Sequence, residues 1–329
     1  MPIKKRILIL QTAFTGDVIL STPLAEAIHA SDSNIQIDYL VRKGNEGLFK
    51  NHPFIGEIYI WDKSKNKYKN LFQILNKIRQ NKYDVIVNCQ RFAASGFLTV
   101  FSGAKIKIGF DKNPFSIFFD HKIKHEIGNG KHECERNLAL LKPLGISGKI
   151  RPKLYPPANP IQNSQSYITI SPASVWFTKQ WAEEKWIEFI RLVPKHLEIY
   201  LLGGPSDKEL CDRILDKAQI SNAKNLCGKI SLLESAAVIR DARMNYVNDS
   251  APMHLASAVN APTVAIYCST APSFGFGPLS DNSTVIETEE NLSCRPCGLH
   301  GKKACPEGHF RCALTIDVQR LLRLLPNAS

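Results

Sequence analysis

The sequence predicts an α/β protein built from two doubly wound domains facing each other across a cleft. Three observations predict it. Short apolar runs alternate with amphipathic runs along the whole chain. Its 329 residues exceed what one hydrophobic core normally serves. A proline-dense stretch at 151–160 interrupts both kinds of regular structure near the middle and is the natural linker. The expected domains are therefore 1–155 and 156–329.

Runs such as Val85-Ile86-Val87 and Thr263-Val264-Ala265-Ile266-Tyr267 are apolar on both faces, as in parallel strands covered by helices. Strands are read near 6–10, 35–41, 57–61, 84–88 and 106–109, and helices near 17–30, 68–81, 92–102 and 131–144. The second half repeats the style. Its strands fall near 167–171, 198–203, 244–248 and 263–268, and its helices near 182–193, 206–218, 231–241 and 251–259. Trp186, Phe189, Ile190 and Val193 follow the helical period. Ser231 with Glu234 forms a capping box at the start of its helix.

The formal net charge of +12 calls for a negatively charged partner: a phosphorylated substrate, nucleic acid or an anionic membrane face. Much of the excess sits in Lys63, Lys65, Lys67 and Lys69, then Lys77, Arg79 and Lys82, with Leu71, Ile74, Leu75 and Ile78 at helical spacing. That stripe either rests on a membrane surface or faces a core. No apolar run approaches the roughly 18 residues that span a bilayer. The start Lys4, Lys5, Arg6, Ile7 to Leu10 imitates a signal peptide, but Gln11 and Asp17 break it early. The expected location is cytoplasmic, with peripheral contact with the inner membrane as an option.

In open α/β folds ligands sit at the carboxyl ends of the strands. The strand at Ile7–Leu10 runs into a turn with Thr15 and Gly16, and a helix opens with Asp17 in its first turn. Asp17 either complements the helix dipole or places an acid at the mouth of a cleft. The turn lacks the glycine patterns of dinucleotide and P-loop sites. Four clusters follow in the second half: Thr178, Lys179 and Trp181 in a loop; Gly203 and Gly204 after a strand; Gly228 and Lys229; and Asn248, Asp249, Ser250, Ala251, Pro252 and His254. In the last, a strand ends at Asn248 and a helix starts with Asp249 or Ser250 as cap and Pro252 in its first turn. Such a start is a ready anion site. The chain has no Asp-x-Asp pair for a divalent ion on a diphosphate.

Taken together, Thr15-Gly16-Asp17-Val18, Thr22-Pro23-Leu24, Lys179-Gln180-Trp181, Asn248-Asp249-Ser250-Ala251-Pro252-Met253-His254 and the loop 271–278 resemble the heptosyltransferase family of bacterial glycosyltransferases over nearly the whole chain. The resemblance implies two Rossmann-like domains in the GT-B architecture, the first binding a glycan or glycolipid acceptor and the second an ADP-heptose or related nucleotide-sugar donor. It implies inverting transfer to a lipopolysaccharide core or another cell-surface glycan, with no obligatory cofactor and no nucleic-acid partner. Asp17 is the implied general base. Lys179 and the helix start at Asp249–Ala251 are implied to meet the leaving diphosphate. The donor set comprises Thr178, Lys179, Gly203, Gly204, Gly228, Lys229, Asp249, Ser250, Ala251 and His254. Asp249, being acidic, would cap the helix or accept from a sugar hydroxyl. The acceptor set comprises Thr15, Gly16, Arg91 and Ser95. Ala94 stands where members acting on the innermost core carry a lysine, so either Arg91 substitutes for it as an acceptor contact or the acceptor differs. His132, Glu133 and Arg136 are either a surface run or acceptor contacts.

Five of the nine cysteines are scattered singly, in the manner of small buried hydrophobes. Cys294, Cys297, Cys305 and Cys312 bunch within twenty residues, which suits either free thiols or a structural zinc site. Two rivals remain at this level: a basic zinc-knuckle module for nucleic acid, and a nucleotide-sugar enzyme of another reaction type, such as an epimerase.

Overall fold

The computed structural model describes residues 5–161 and 165–326; Lys4 lies outside them. The chain divides into two compact units, Met1–Tyr155 and Pro156–Ser329.

The first unit runs β1 (Arg6–Gln11), α1 (Thr15–Ser31), β2 (Gln36–Arg42), β3 (Ile55–Trp61), α2 (Lys67–Asn81), β4 (Val85–Asn88), α3 (Ala93–Phe101), β5 (Ile106–Phe110), β6 (His121–Ile123) and α4 (Glu133–Leu138). Its strands pair in the order β3-β2-β1-β4-β5-β6, parallel throughout. Ile7 to Leu10 are fully buried, as a central strand covered on both faces must be. The helix expected over 131–144 is in fact α4 followed by a 3-10 turn, Ala139–Leu144, that contains Pro143. Sequence reading passes over β6, whose three residues form an exposed sheet edge.

Pro23 lies inside α1. A proline cannot donate to the carbonyl four residues back, here that of Ile19. The Thr22 hydroxyl donates to that carbonyl oxygen instead, at 2.8 Å. The same hydroxyl accepts the Lys153 amide at 2.9 Å. Leu71, Ile74, Leu75 and Ile78 of α2 pack into the core with Tyr59, Trp61 and Tyr83, so the stripe weighed as a membrane face is the inner side of a core helix. No helix among the described residues is long and apolar enough to cross a membrane.

The second unit runs β7 (Tyr167–Ser171), α5 (Glu183–Leu192), β8 (Glu198–Leu201), α6 (Lys208–Ala218), β9 (Ala223–Asn225), α7 (Leu232–Asp241), β10 (Met244–Asn248), α8 (Ala251–Ala258), β11 (Thr263–Tyr267), β12 (Ser283–Glu287), α9 (Arg311–Leu314) and α10 (Val318–Leu322). The order β12-β11-β10-β7-β8-β9 repeats the first sheet strand for strand. Both are the doubly wound Rossmann order, in which the strand sequence reverses beside the first strand. The capping box of Ser231 and Glu234 forms at α7. Its core joins Trp181 and Trp186, edge to face at 4.9 Å, with Cys312, Ala313, Ile316, Val318 and Leu321 from the chain's end. The elements missing from the sequence reading here, β9, β12, α9 and α10, have at most five residues each, too few to display a period.

In each unit the reversal puts a crevice at two strand ends: Gln11 and Asn88 in the first, Ser171 and Asn248 in the second. Those are the places to look for chemistry.

Candidate active site

In the first unit, side chains fasten the loop after β1. Buried Gln11 accepts from the Ala13 amide at 3.3 Å and from the side-chain amide of Gln90, beyond β4. The Thr15 hydroxyl donates to Asn45 Oδ1 at 2.8 Å, and the Asn45 side chain donates to the Ala13 carbonyl at 3.3 Å. These bonds fix where α1 starts, with Gly16 and Asp17 half-buried in its first turn. Thr15 therefore positions the loop through Asn45, a buried residue that no sequence pattern announced.

Cationic groups flank this loop. Lys63 Nζ donates to the Thr12 carbonyl at 2.7 Å and lies 4.6 Å from the centre of the Trp61 ring. Burial pushes the Lys63 ammonium down to about 8, helped by Arg42 and Lys67. The Arg42 guanidinium sits over Phe14 at 5.3 Å. Arg91 is exposed after β4, its guanidinium 5.6 Å from the Phe92 ring.

Two of the acceptor candidates are engaged within the protein. Ser95 is buried, and its hydroxyl donates to the Phe92 carbonyl at 2.8 Å in the first turn of α3. Glu133 and Arg136 are a buried ion pair at 2.6 Å, with His125 3.5 Å from the same carboxylate. Burial works to raise the Glu133 carboxyl, but His125 and Arg136 hold it below its ordinary range. His132 caps α4 in a capping box with Glu135. This run is structural.

In the second unit Lys179 ends a 3-10 turn, Phe177–Lys179, after β7. Its ammonium meets Asp249 Oδ2 at 2.7 Å, and both side chains are largely buried. The Thr270 hydroxyl donates to the same Asp249 oxygen at 2.6 Å. Asn248 joins the crevice: its side chain donates to the Pro172 carbonyl at 2.7 Å and accepts the Trp181 amide at 3.0 Å. A buried charge persists only when paired and hydrogen-bonded, and Asp249 has both a cation and a hydroxyl. Of the two expected cap residues, Ser250 is the N-cap of α8 and Asp249 precedes it. Ser250 holds the cap position without a side-chain cap bond, and its hydroxyl turns to the Asn248 carbonyl at 3.3 Å. Ala251 is half-buried and His254 buried in the first turn of α8.

The remaining donor expectations sort by what each residue touches. Thr178 is 1% exposed, and its hydroxyl accepts from the Lys302 amide at 2.7 Å and from Ser269 at 3.0 Å. It is held inside the protein by these bonds. A Cβ on Gly203 would lie 2.9 Å from both Asp207 Cβ and Cys227 Sγ. The Gly204 amide donates to Asp207 at 2.8 Å, and the Gly228 amide to the Gly203 carbonyl at 3.1 Å. Gly228 has φ +70°, with Pro205 Cα 2.9 Å from where its Cβ would be. Gly203 and Gly228 thus answer to the close packing of Asp207, Cys227 and Pro205, and Lys229 beside them is exposed.

A structural zinc site is not shown at the cysteine cluster. Among the described residues no three His, Cys, Asp or Glu side chains gather into a group that could hold a metal ion. Cys312 packs in the hydrophobic core with Ala313 and Ile316. The Cys297 thiol turns to the Cys294 carbonyl at 3.2 Å, and Cys294 Sγ lies 3.9 Å from His309 Nε2. Burial, then Cys294 and Cys305, push the Cys297 thiol up, against the opposing charge of Lys302.

Two doubly wound units, each with polar side chains converging on its switch point, place the chain in the Rossmann-type α/β class. The comparisons make the class specific. Residues 71–307 match the family model glycosyltransferase family 9 (heptosyltransferase), and the chain belongs to that family: it is a glycosyltransferase. It is 28% identical over 289 residues to lipopolysaccharide heptosyltransferase 3 of Escherichia coli, covering 82% of this chain and 85% of that protein. Among solved structures, a family 9 glycosyl transferase from Veillonella parvula superposes with a TM-score of 0.82 at 21% identity, over 98% of this chain and 97% of that one. The E. coli heptosyltransferase WaaC with ADP superposes with a TM-score of 0.76 at 22% identity, over 97% and 98% of the two chains. The structural likenesses carry the fold, that of the GT-B transferases. Family membership makes the chain a glycosyltransferase, in place of an enzyme of another reaction type.

Proposed function

We propose that this glycosyltransferase moves a heptose from an ADP-linked donor to a lipopolysaccharide-core acceptor, inverting the anomeric centre. The observation that carries the donor half is the buried Lys179–Asp249 pair, braced by Thr270 at the second unit's switch point. A buried lysine fixed by one carboxylate and set close to the start of α8 is a pre-aligned positive charge, and helix amides add to it at a diphosphate. The likeness to the E. coli lipopolysaccharide heptosyltransferase supports heptose and lipopolysaccharide, and the likeness to WaaC, solved with ADP, supports the adenine nucleotide.

Asp17 takes the proton of the acceptor hydroxyl. That oxygen bonds to the anomeric carbon while the bond from that carbon to the diphosphate breaks, and ADP leaves with its new charge met by Lys179 and the α8 amides. One displacement inverts the centre. A thermal-shift screen tests the donor: ADP and ADP-heptose raise the melting temperature, and UDP- and GDP-sugars at equal concentration do not. A larger shift with a UDP-sugar refutes the ADP assignment.

Arg42, Lys63 and Lys67 beside the Thr12–Asp17 loop suit an anionic group on the acceptor. Lys63 titrates near 8, so it is cationic below that pH and neutral above it. The acceptor KM is expected to rise as pH passes from 7 through about 8. In Lys63→Arg, whose side chain stays charged, that rise disappears; a rise unchanged in the variant separates Lys63 from the acceptor.

A further inference from the structure

The cysteine-rich segment has no part in the reaction as described, yet it reaches both sides of the Lys179–Asp249 pair. Arg295 donates to the Cys268 carbonyl at 2.6 Å and to the Thr270 carbonyl at 2.7 Å, and the Cys297 amide donates to the Ser269 carbonyl at 2.8 Å. Those bonds fix the stretch that carries Thr270, the hydroxyl partner of Asp249. A few residues later the same segment closes on the lysine turn. The Thr178 amide donates to the Lys302 carbonyl at 3.1 Å, and the Lys302 amide returns to the Thr178 hydroxyl at 2.7 Å. Gly301 lies against the lysine itself. It has φ +72°, and a Cβ there would stand 2.8 Å from Lys179 Cγ and 3.1 Å from Trp176 Cβ. Phe177 stacks on Phe310 at 4.9 Å on the same turn.

We propose that residues 295–302 form a strap that sets the position of the Lys179 ammonium, with Gly301 and Thr178 as positioning residues for donor binding. The bare backbone of Gly301 leaves the room through which the lysine stem passes to Asp249. The two-way bond of Thr178 with Lys302 holds the turn from which that stem departs. A side chain at 301 moves the lysine aside, and loss of the Thr178 hydroxyl releases the turn from the strap. The inference rests on the assignment of Lys179 to the donor diphosphate.

The test is calorimetric titration of the full-length protein with ADP. Gly301→Ala is expected to weaken ADP binding about tenfold or more, the scale on which small displacements of a binding group act. Thr178→Val is expected to do the same, and Thr178→Ser, which restores the hydroxyl, to bind ADP as the parent does. In a Lys179→Ala background Gly301→Ala is expected to have no further effect, because its route of action is gone. Loss in the Lys179→Ala background equal to that in the parent overturns the strap, as does normal ADP affinity of Gly301→Ala beside weakened Lys179→Ala. Unchanged ADP affinity of Lys179→Ala itself refutes the donor assignment instead. Should Gly301→Ala not fold, the contrast of Val against Ser at 178 decides, and equal ADP affinity in those two overturns the proposal.

Discussion

Asp17→Asn is expected to lower turnover by about a hundredfold or more, the usual scale for a lost general base, with ADP affinity unchanged. The asparagine keeps the size and hydrogen-bonding reach of the side chain in the first turn of α1, and the Thr15–Asn45 bond that sets the turn remains. What disappears is the capacity to take a proton. Asp17→Glu keeps the carboxylate but moves it by one methylene, and it is expected to recover part of the rate. Should Asp17→Asn turn over near the parent rate, Asp17 is only a partner of the helix dipole, the alternative its position allows.

Lys179→Ala is expected to produce two losses that can be separated. ADP affinity falls, because the positive charge at the diphosphate is gone. Stability falls as well, by about 3 kcal/mol, since a buried carboxylate left without its cation is strongly destabilising. Thr270 then faces Asp249 without the ammonium. Adding Asp249→Asn to Lys179→Ala removes the stranded charge, and the melting temperature is expected to recover while ADP affinity does not. Recovery of both places the effect of Lys179 in folding and not in donor binding.

The architecture was legible in the sequence to the extent that its elements are long and periodic. The strands around Ile7–Leu10, Val85–Val87 and Thr263–Tyr267 declared themselves because a strand covered on both faces is uniformly apolar. β6, β9 and β12 lie toward the sheet edges, short and partly polar, where packing against a neighbour decides and local pattern does not. The placing of Asp17 in the first turn of α1 and of Lys179 in the turn after β7 was legible from the motif letters around them, and their roles are the proposal made above. Asn45 and Thr270 were not legible, since each acts through a side chain brought in from another loop. The internal bonds of Thr178 and Ser95 were not legible for the converse reason: a hydroxyl beside a motif looks available until the tertiary structure shows the amide or carbonyl it pairs with. The α2 stripe was ambiguous in principle, because a core-facing helix and a membrane-lying one share a period.

The measurement that bears most directly on the account is the anomeric configuration of the transferred sugar, read by NMR from the product formed with ADP-heptose and a lipopolysaccharide-core acceptor. A single attack by the acceptor hydroxyl predicts the configuration opposite to the donor's. Retention of the donor's configuration contradicts that mechanism, and with it the role given to Asp17.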